Sequence, residues 1–325
     1  MRIYMIGAGA MGGVYGGLIK RAGYDVTLVD AREDHVAAIK RDGLKVEGVR
    51  GSHAIPIPVH TSPEGLPPGD LAIIFTDANA TAEAARIAQA LLKPEGFAMT
   101  LQNGIGNVEA LVAELGKARV VAGVSMNSAA NPEAGRSVYT NADMTSIGEL
   151  DGEDSERIRA VSDMLNKAEI ETEIVADPMS YVYGKFVLNC GVNALAAVSG
   201  LRSGEVYRTP ELRTLQSHVI DEVLAVVEAK GWALSEADPR GKILHHSKLR
   251  YNKPSMLQHV EQGRRTEIDA INGAIVREAK SLNIPVPYNE AVVAIVKGLE
   301  KSRRQLLHEA PIDYAKLEED AARAG

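Results

Sequence analysis

Three polar side chains recur at strict four-residue intervals in the stretch YVYGKFVLNCGVNALAAVSG: Lys185, Asn189 and Asn193. On a helix they stack on one face, while Phe186, Val187, Leu188, Val192 and Leu195 around them are apolar. A buried ammonium is costly unless paired, and burial drives its pKa down. That cost is tolerable where a proton must be delivered, because a lysine tuned toward neutral pH is an effective general acid. The two amides would then face a carboxylate or hydroxyl. The competing expectation is a lysine that snorkels to solvent beside amides that merely bridge helices.

Two further segments carry candidate chemistry. KPSMLQHVEQGRRTEIDAINGAIVREAKSLNIPVP contains Ser255, Glu267 and Asp269 ahead of a strongly helical run. Glu267 is a candidate partner for Lys185, or simply an acid in a first helical turn, where the dipole favours it. TLQNGIGN places Asn103 and Gly104 just past an expected strand, at the carboxyl edge where doubly wound folds bind ligands. Asn-Gly is equally an ordinary turn dipeptide.

At the N-terminus, GAGAMGG supplies Gly7, Ala8, Gly9, Ala10, Met11 and Gly12 in the spacing of a dinucleotide fingerprint. Gly7 permits the tight turn off a strand, Gly9 the approach of a pyrophosphate, and Gly12 close packing of the following helix. That helix turns its free N–H groups toward the phosphates. The next strand ends in Asp30, which can accept both ribose hydroxyls of NAD and would repel the 2′-phosphate of NADP. Arg32 is the counter-argument, as a possible phosphate ligand, and Asp30 has an alternative use as a helix N-cap. NAD is favoured over NADP.

The elements that must position these residues follow a clear order. RIYMIG, DVTLVD, DLAIIF, GFAMTLQ and ARVVAGVS read as strands, with helices at 10–22 and 80–92. Apolar runs that do not alternate, separated by helices, predict a parallel sheet covered on both faces. RSVYT and MTSIGEL read as antiparallel additions at its edge. From about Asp177 onward strands vanish and helical periodicity dominates. The expected architecture is α/β: a doubly wound, mostly parallel sheet over 1–175, then an all-α domain over 176–325.

Composition excludes several classes. The 325 residues are 45% hydrophobic and 24% charged, with net charge −7. The short basic runs at Arg264–Arg265 and Arg303–Arg304 have acids close by, so no nucleic-acid surface is expected. The single cysteine, Cys190, excludes an intrachain disulfide and reads as a buried spectator. No leader segment and no apolar run of membrane-spanning length is found, so a cytoplasmic location is expected. The eight histidines are scattered, and no metal site is expected.

Taken together, GAGAMG, LQNGIGN, the K-x-x-x-N-x-x-x-N helix and SMLQ…GRRTEIDAING resemble the ketopantoate reductase (2-dehydropantoate 2-reductase) family, in order and over nearly the whole chain. The resemblance implies a Rossmann domain followed by a helical one, with the active site between them. It implies Lys185 as general acid and Glu267 as its partner and a substrate contact. Asn103, Asn189, Asn193 and Ser255 would surround a 2-oxo or 2-hydroxy acid. Hydride from a reduced nicotinamide would reach the C2 carbonyl as Lys185 protonates the alkoxide. The sequence departs from the family pattern at Asp77, where a lysine is usual, at His259 after SMLQ, and at Tyr183 and Ala194 on the lysine helix. Those departures raise an alternative, an NAD-dependent relative acting on another 2-oxo acid or sugar acid. A nicotinamide-binding redox sensor without turnover is the expectation from another class. The tail beyond about Arg304 is longer than usual for the family and is expected to serve assembly, as a homodimer.

Overall fold

The computed structural model describes residues 1–324 and separates into two compact units. The first comprises Met1–Phe186 with Lys230–Ala237; the second comprises Val187–Ala229 and the chain from Asp238 onward. The expected boundary near 175 lies just before the long helix inside which this division falls.

The first unit opens with β1 (Arg2–Ile6), α1 (Ala10–Arg21), β2 (Asp25–Val29) and α2 (Glu33–Asp42). β3 (Leu44–Gly48), β4 (His53–Ile55), β5 (Val59–His60) and β6 (Gly69–Ile74) follow. Next come α3 (Thr81–Leu91), β7 (Leu92–Thr100), α4 (Asn107–Leu115), β8 (Val120–Ser125) and β9 (Ser128–Glu133). β10 (Arg136–Asn141), β11 (Thr145–Glu149), α5 (Glu156–Lys167) and β12 (Thr172–Ile174) complete it, together with the start of α6 (Pro178–Ser199).

Eight strands form one sheet in the order β12-β11-β8-β7-β6-β1-β2-β5. From β5 to β8 every pairing is parallel. β11 then joins antiparallel to β8, and β12 parallel to β11. The uniform apolarity of these strands has the expected cause, burial on both faces. In β1, Ile3 and Met5 pack with Val14 and Leu18 of α1 and Ile158 and Val161 of α5. Ile6 points the other way, toward Ala84 and Ala88 of α3 and Leu111 of α4. Each of the buried Val, Leu, Ile and Met side chains among them stabilises the fold by about 1.5–3 kcal/mol.

One expected strand goes elsewhere. MTSIGEL does add antiparallel to the main sheet, as β11, but RSVYT does not reach its edge. As β10 it lies in a second sheet, ordered β4-β3-β10-β9, parallel to β3 and antiparallel to β9. The reason lies in α1, whose glycines let β10 approach. A Cβ on Gly13 would stand 2.1 Å from Ser137 Oγ of β10, and one on Gly17 would stand 2.7 Å from Val46 Cγ2 of β3. Residues of α1 from Gly12 to Ile19 are accordingly all buried.

The second unit is helical. It takes α6 from Val187 on, then α7 (Ser203–Arg208), α8 (Pro210–Lys230), α9 (Pro239–Leu249) and α10 (Ser255–Glu261). α11 (Asn272–Leu282), α12 (Pro287–His308) and α13 (Tyr314–Ala324) end the chain. Starts follow helix-capping rules: Pro239 begins α9 behind Asp238, whose carboxylate accepts the Gly241 N–H at 2.8 Å. A buried amide pair ties four helices together, α6, α8, α11 and α12. Asn272 Nδ2 donates to Cys190 O at 3.0 Å and to Asn289 Oδ1 at 2.9 Å, and Asn289 Nδ2 donates to Glu222 at 2.7 Å. Cys190 is fully buried and burial pushes its thiol well above the ordinary value, which makes it the inert spectator expected. Among the described residues no helix is long and apolar enough to cross a membrane.

Candidate active site

The glycine-rich loop leaves β1 at the point where the sheet order reverses, with β2 on one side and β6 on the other. Gly7 has φ +87°, and a Cβ there would lie 2.7 Å from Thr76 N. Its N–H bonds Val29 O at 2.8 Å. A Cβ on Gly12 would stand 1.8 Å from Gly7 O, so only glycine lets α1 start this close to the strand. Around Gly9 the nearest atom to such a Cβ is Arg32 Nη2 at 3.7 Å, which leaves that face open. Gly9 caps α1 without a side-chain bond, and no acid occupies the first turn of Ala10, Met11 and Gly12. Uncapped N–H groups beside an open glycine face are what a pyrophosphate requires.

Ala8 is gripped through both of its backbone groups. Its N–H donates to Asp30 Oδ2 at 2.8 Å, and its carbonyl meets His35 Nε2 at 2.8 Å. The Gly135 N–H donates to His35 Nδ1 at 2.9 Å, which fixes the ring as the neutral Nε2–H tautomer. Burial pulls the His35 pKa below 6.5, with the Arg32 charge acting in the same direction. Asp30 is 7% exposed. Burial works to raise its carboxyl, but the hydrogen bonds and charge of Arg32, with the Ala8 N–H, hold it below 3.8. Asp30 is not the cap of α2; that position belongs to Arg32. The Arg32 fork spends Nε and Nη2 on Asp30, at 3.0 and 3.1 Å, and Nη1 on Asn131 Oδ1 at 3.0 Å.

Asn103 lies in the loop after β7, and the turn geometry anticipated for Asn-Gly is present: Gly104 has φ +83°. The Asn107 side chain bonds Asn103 O at 2.8 Å. Gln102 Nε2 bonds Thr76 O at 2.9 Å, joining this loop to the end of β6. A recess here is lined by Gln102, Gly104, Asn107 and, from α6, Met179 and Val182.

Lys185, three residues beyond Val182, donates from Nζ to the carbonyl of Ser125 at the end of β8. It is partly buried, less sequestered than the apolar residues around it lead one to expect. Tyr183 stacks on Trp232 with centroids 4.6 Å apart. In the second unit Asn189 and Asn193 are buried, at 9% and 7% exposure, and Asn189 Nδ2 has no hydrogen-bond partner. A buried unpaired amide costs about 1–3 kcal/mol, which suits a donor awaiting a ligand. Glu267 is 7% exposed and caps the short 3₁₀ turn Ile268–Ala270 rather than α11. Asn272, five residues on, bonds Cys190 O and so docks this segment on α6 beside Asn189. Ser255 is the first residue of α10 and is partly buried. Asp77 is exposed.

Ser125 and His35, which bond Lys185 and the glycine-rich loop, lie in no motif and pair across long sequence separations.

The ketopantoate reductase PanE/ApbA family model matches residues 3–152, and its C-terminal companion matches 177–300. The 2-dehydropantoate 2-reductase of Pyrococcus abyssi is 32% identical over 302 residues, 92% of this chain and 98% of that one. A PanE/ApbA family ketopantoate reductase from Ralstonia eutropha JMP134 superimposes with TM-score 0.86 at 28% identity, over 94% of this chain and all of that one. The ternary structure of a D-mandelate dehydrogenase with NADH and anilino(oxo)acetate has TM-score 0.85 at 24% identity, over 94% and 100% of the two chains. It shares the fold.

Proposed function

Because the chain belongs to the ketopantoate reductase family, we propose that it reduces ketopantoate at its C2 carbonyl. The nicotinamide, when bound, supplies the hydride. Gly7 through Gly12 hold the pyrophosphate on the uncapped start of α1. Lys185 donates its proton to the oxygen of the reduced carbonyl, and the ammonium stabilises the negative charge as it develops there. Asn189, Asn193 and Ser255 bind and orient the 2-oxo acid, Glu267 acts with Lys185, and Asn103 contacts both cofactor and substrate. The observation that carries this reading is the unpartnered buried amide of Asn189, one helical turn beyond Lys185. A sensor without turnover leaves that donor unexplained. The segment 176–325 serves substrate binding and dimerisation. The exposed Leu306, Tyr314 and Leu317 of the C-terminal helices supply apolar surface for a second copy.

For the cofactor, the reading is NAD. The Arg32 charge is paired with Asp30, and three of its five N–H donors are spent on Asp30 and Asn131, so a 2′-phosphate would have to sit beside a carboxylate and compete with it for the guanidinium. Oxidation of NADH and NADPH with ketopantoate, pyruvate and a series of larger 2-oxo acids tests both assignments. We expect ketopantoate to give the highest kcat/KM, and NADH to surpass NADPH. Asp30→Ala frees Arg32 and should move that ratio toward NADPH by roughly tenfold, about 1.4 kcal/mol. A wild-type preference for NADPH would remove the cofactor assignment. A second substrate reading, another 2-oxo acid, draws on the exposed Asp77 carboxylate in place of the family's lysine. A clearly better acid in the same panel would select it.

A further inference from the structure

Behind the Ser125 carbonyl lies a closed set of polar side chains. β8 ends at Ser125, and the chain reverses into β9 at Ser128, with Asn127 in the turn. The Tyr15 hydroxyl donates to Ser125 Oγ at 2.9 Å and shares a 2.5 Å bond with Thr145 Oγ1. Asn127 Nδ2 lies 3.0 Å from Ser125 Oγ, from Thr145 Oγ1 and from Tyr15 Oη. The Tyr139 hydroxyl donates to Asn127 Oδ1, which also accepts the Asp143 N–H at 2.8 Å. All five side chains are buried; the most exposed, Asn127, shows 8% of its surface.

Taking five polar groups out of water gains little stability, because apolar groups of the same shape would serve about as well. What the arrangement does is fix geometry. Its members come from α1, β10, β11 and the β8–β9 turn, and they converge on the one residue whose carbonyl receives the Lys185 ammonium. A lysine is a point charge on a flexible four-carbon stem, so the place of its ammonium depends on its acceptors, of which the Ser125 carbonyl is one. Tyr15 also stands on α1, the helix that starts at the cofactor loop.

We infer that Tyr15 and Asn127 are positioning residues for proton delivery: they lock the Ser125 turn, and through its carbonyl they aim the Lys185 ammonium. This rests on Lys185 being the general acid. Burial pushes the Tyr15 phenol well above its ordinary value, so it remains a donor throughout any assay range.

The test uses the full chain with NADH and ketopantoate. Tyr15→Phe keeps the ring against Phe75 and deletes the hydroxyl, while Ser125→Ala keeps the carbonyl and deletes Oγ. For each, kcat is followed against pH, alongside both KM values, cofactor Kd and Tm. We expect kcat to fall about tenfold, since small misplacements of a reacting group are expensive. Both KM values should stay within about twofold, and the alkaline limb of the kcat profile should move by roughly half a pH unit, as follows when a proton donor is displaced. The double variant should lose less than the product of the single losses. If both variants keep wild-type kcat and an unmoved profile while Tm alone drops, the network is structural and the inference is wrong. Should Tyr15→Phe fail to fold, Ser125→Ala decides. Lys185→Ala separates the two layers. Near-wild-type kcat there defeats the general-acid reading, and the inference with it. A loss of about 10²–10⁴ in kcat there, with Tyr15→Phe and Ser125→Ala unaffected, defeats the inference alone.

Discussion

At the scale of single residues, the glycine-rich loop is held by a histidine that no motif announces. His35 is fully buried, receives the Gly135 N–H on Nδ1 and gives its own proton to Ala8 O. Protonating Nδ1 would remove the acceptor and place a charge in a dry site, and this is the cause of its depressed pKa. The sign follows from linkage. The unfolded chain takes up a proton near 6.5 while the folded one resists, so the His35 contribution is complete above 6.5 and is lost as pH falls below it. Asp30, also depressed, contributes in the same sense only below 3.8. We therefore expect Tm and cofactor affinity to decline together as pH drops from 6.5 toward 5. His35→Gln retains a neutral donor toward Ala8, so it should flatten that slope at some cost in Tm at neutral pH. Parallel slopes for the two proteins in calorimetry would rule out His35 as the titrating group.

Among the elements, the most legible from sequence were those whose pattern is local. The five strands of the parallel core, the glycine loop and the all-helical second half each carry their own period and punctuation. β4, β5 and β12 are two or three residues long, too short to show a period, and β3 and β9 are not the continuous apolar runs that mark the parallel core. β10 was assigned to the wrong sheet because its partners, β3 and β9, are chosen by the glycine face of α1 and not by its own residues. The glycine turn after β1 and the acid at the end of β2 are readable from spacing, whereas the Ser125 carbonyl that accepts from Lys185 lies sixty residues away in sequence and leaves no mark on the lysine helix. The junction of β1 and α1 also allows a sharp prediction. A methyl group on Gly12 would run into the Gly7 carbonyl, which is backbone and cannot rotate away. Gly12→Ala should weaken NADH binding by at least tenfold in a fluorescence titration and lower Tm, with strain of about 1–3 kcal/mol. Binding within twofold of wild type would mean the loop can yield.

For the molecule as a whole, the order of the chain is not the order of its parts. The first unit is built from Met1–Phe186 but is completed by Lys230–Ala237, delivered only after α7 and most of α8. Trp232 in that late segment stacks on Tyr183 and sets its edge against Phe186, at centroid distances of 4.6 and 6.2 Å. The Ser235 N–H adds a bond to Ser180 O at 3.3 Å. Such ring pairs contribute about 0.5–1.5 kcal/mol each beyond the area they cover. A fragment ending at residue 186 should therefore aggregate on expression, and one ending at 237 should be recovered in larger soluble yield; equal yields would show the late segment to be dispensable. On the ribosome the same arrangement imposes a wait. The nascent first unit emerges with two aromatic rings bare, and at ordinary elongation rates roughly 2–9 s pass before the indole that covers them emerges. During that interval the half-made polypeptide is a client for whatever chaperone guards the exit tunnel.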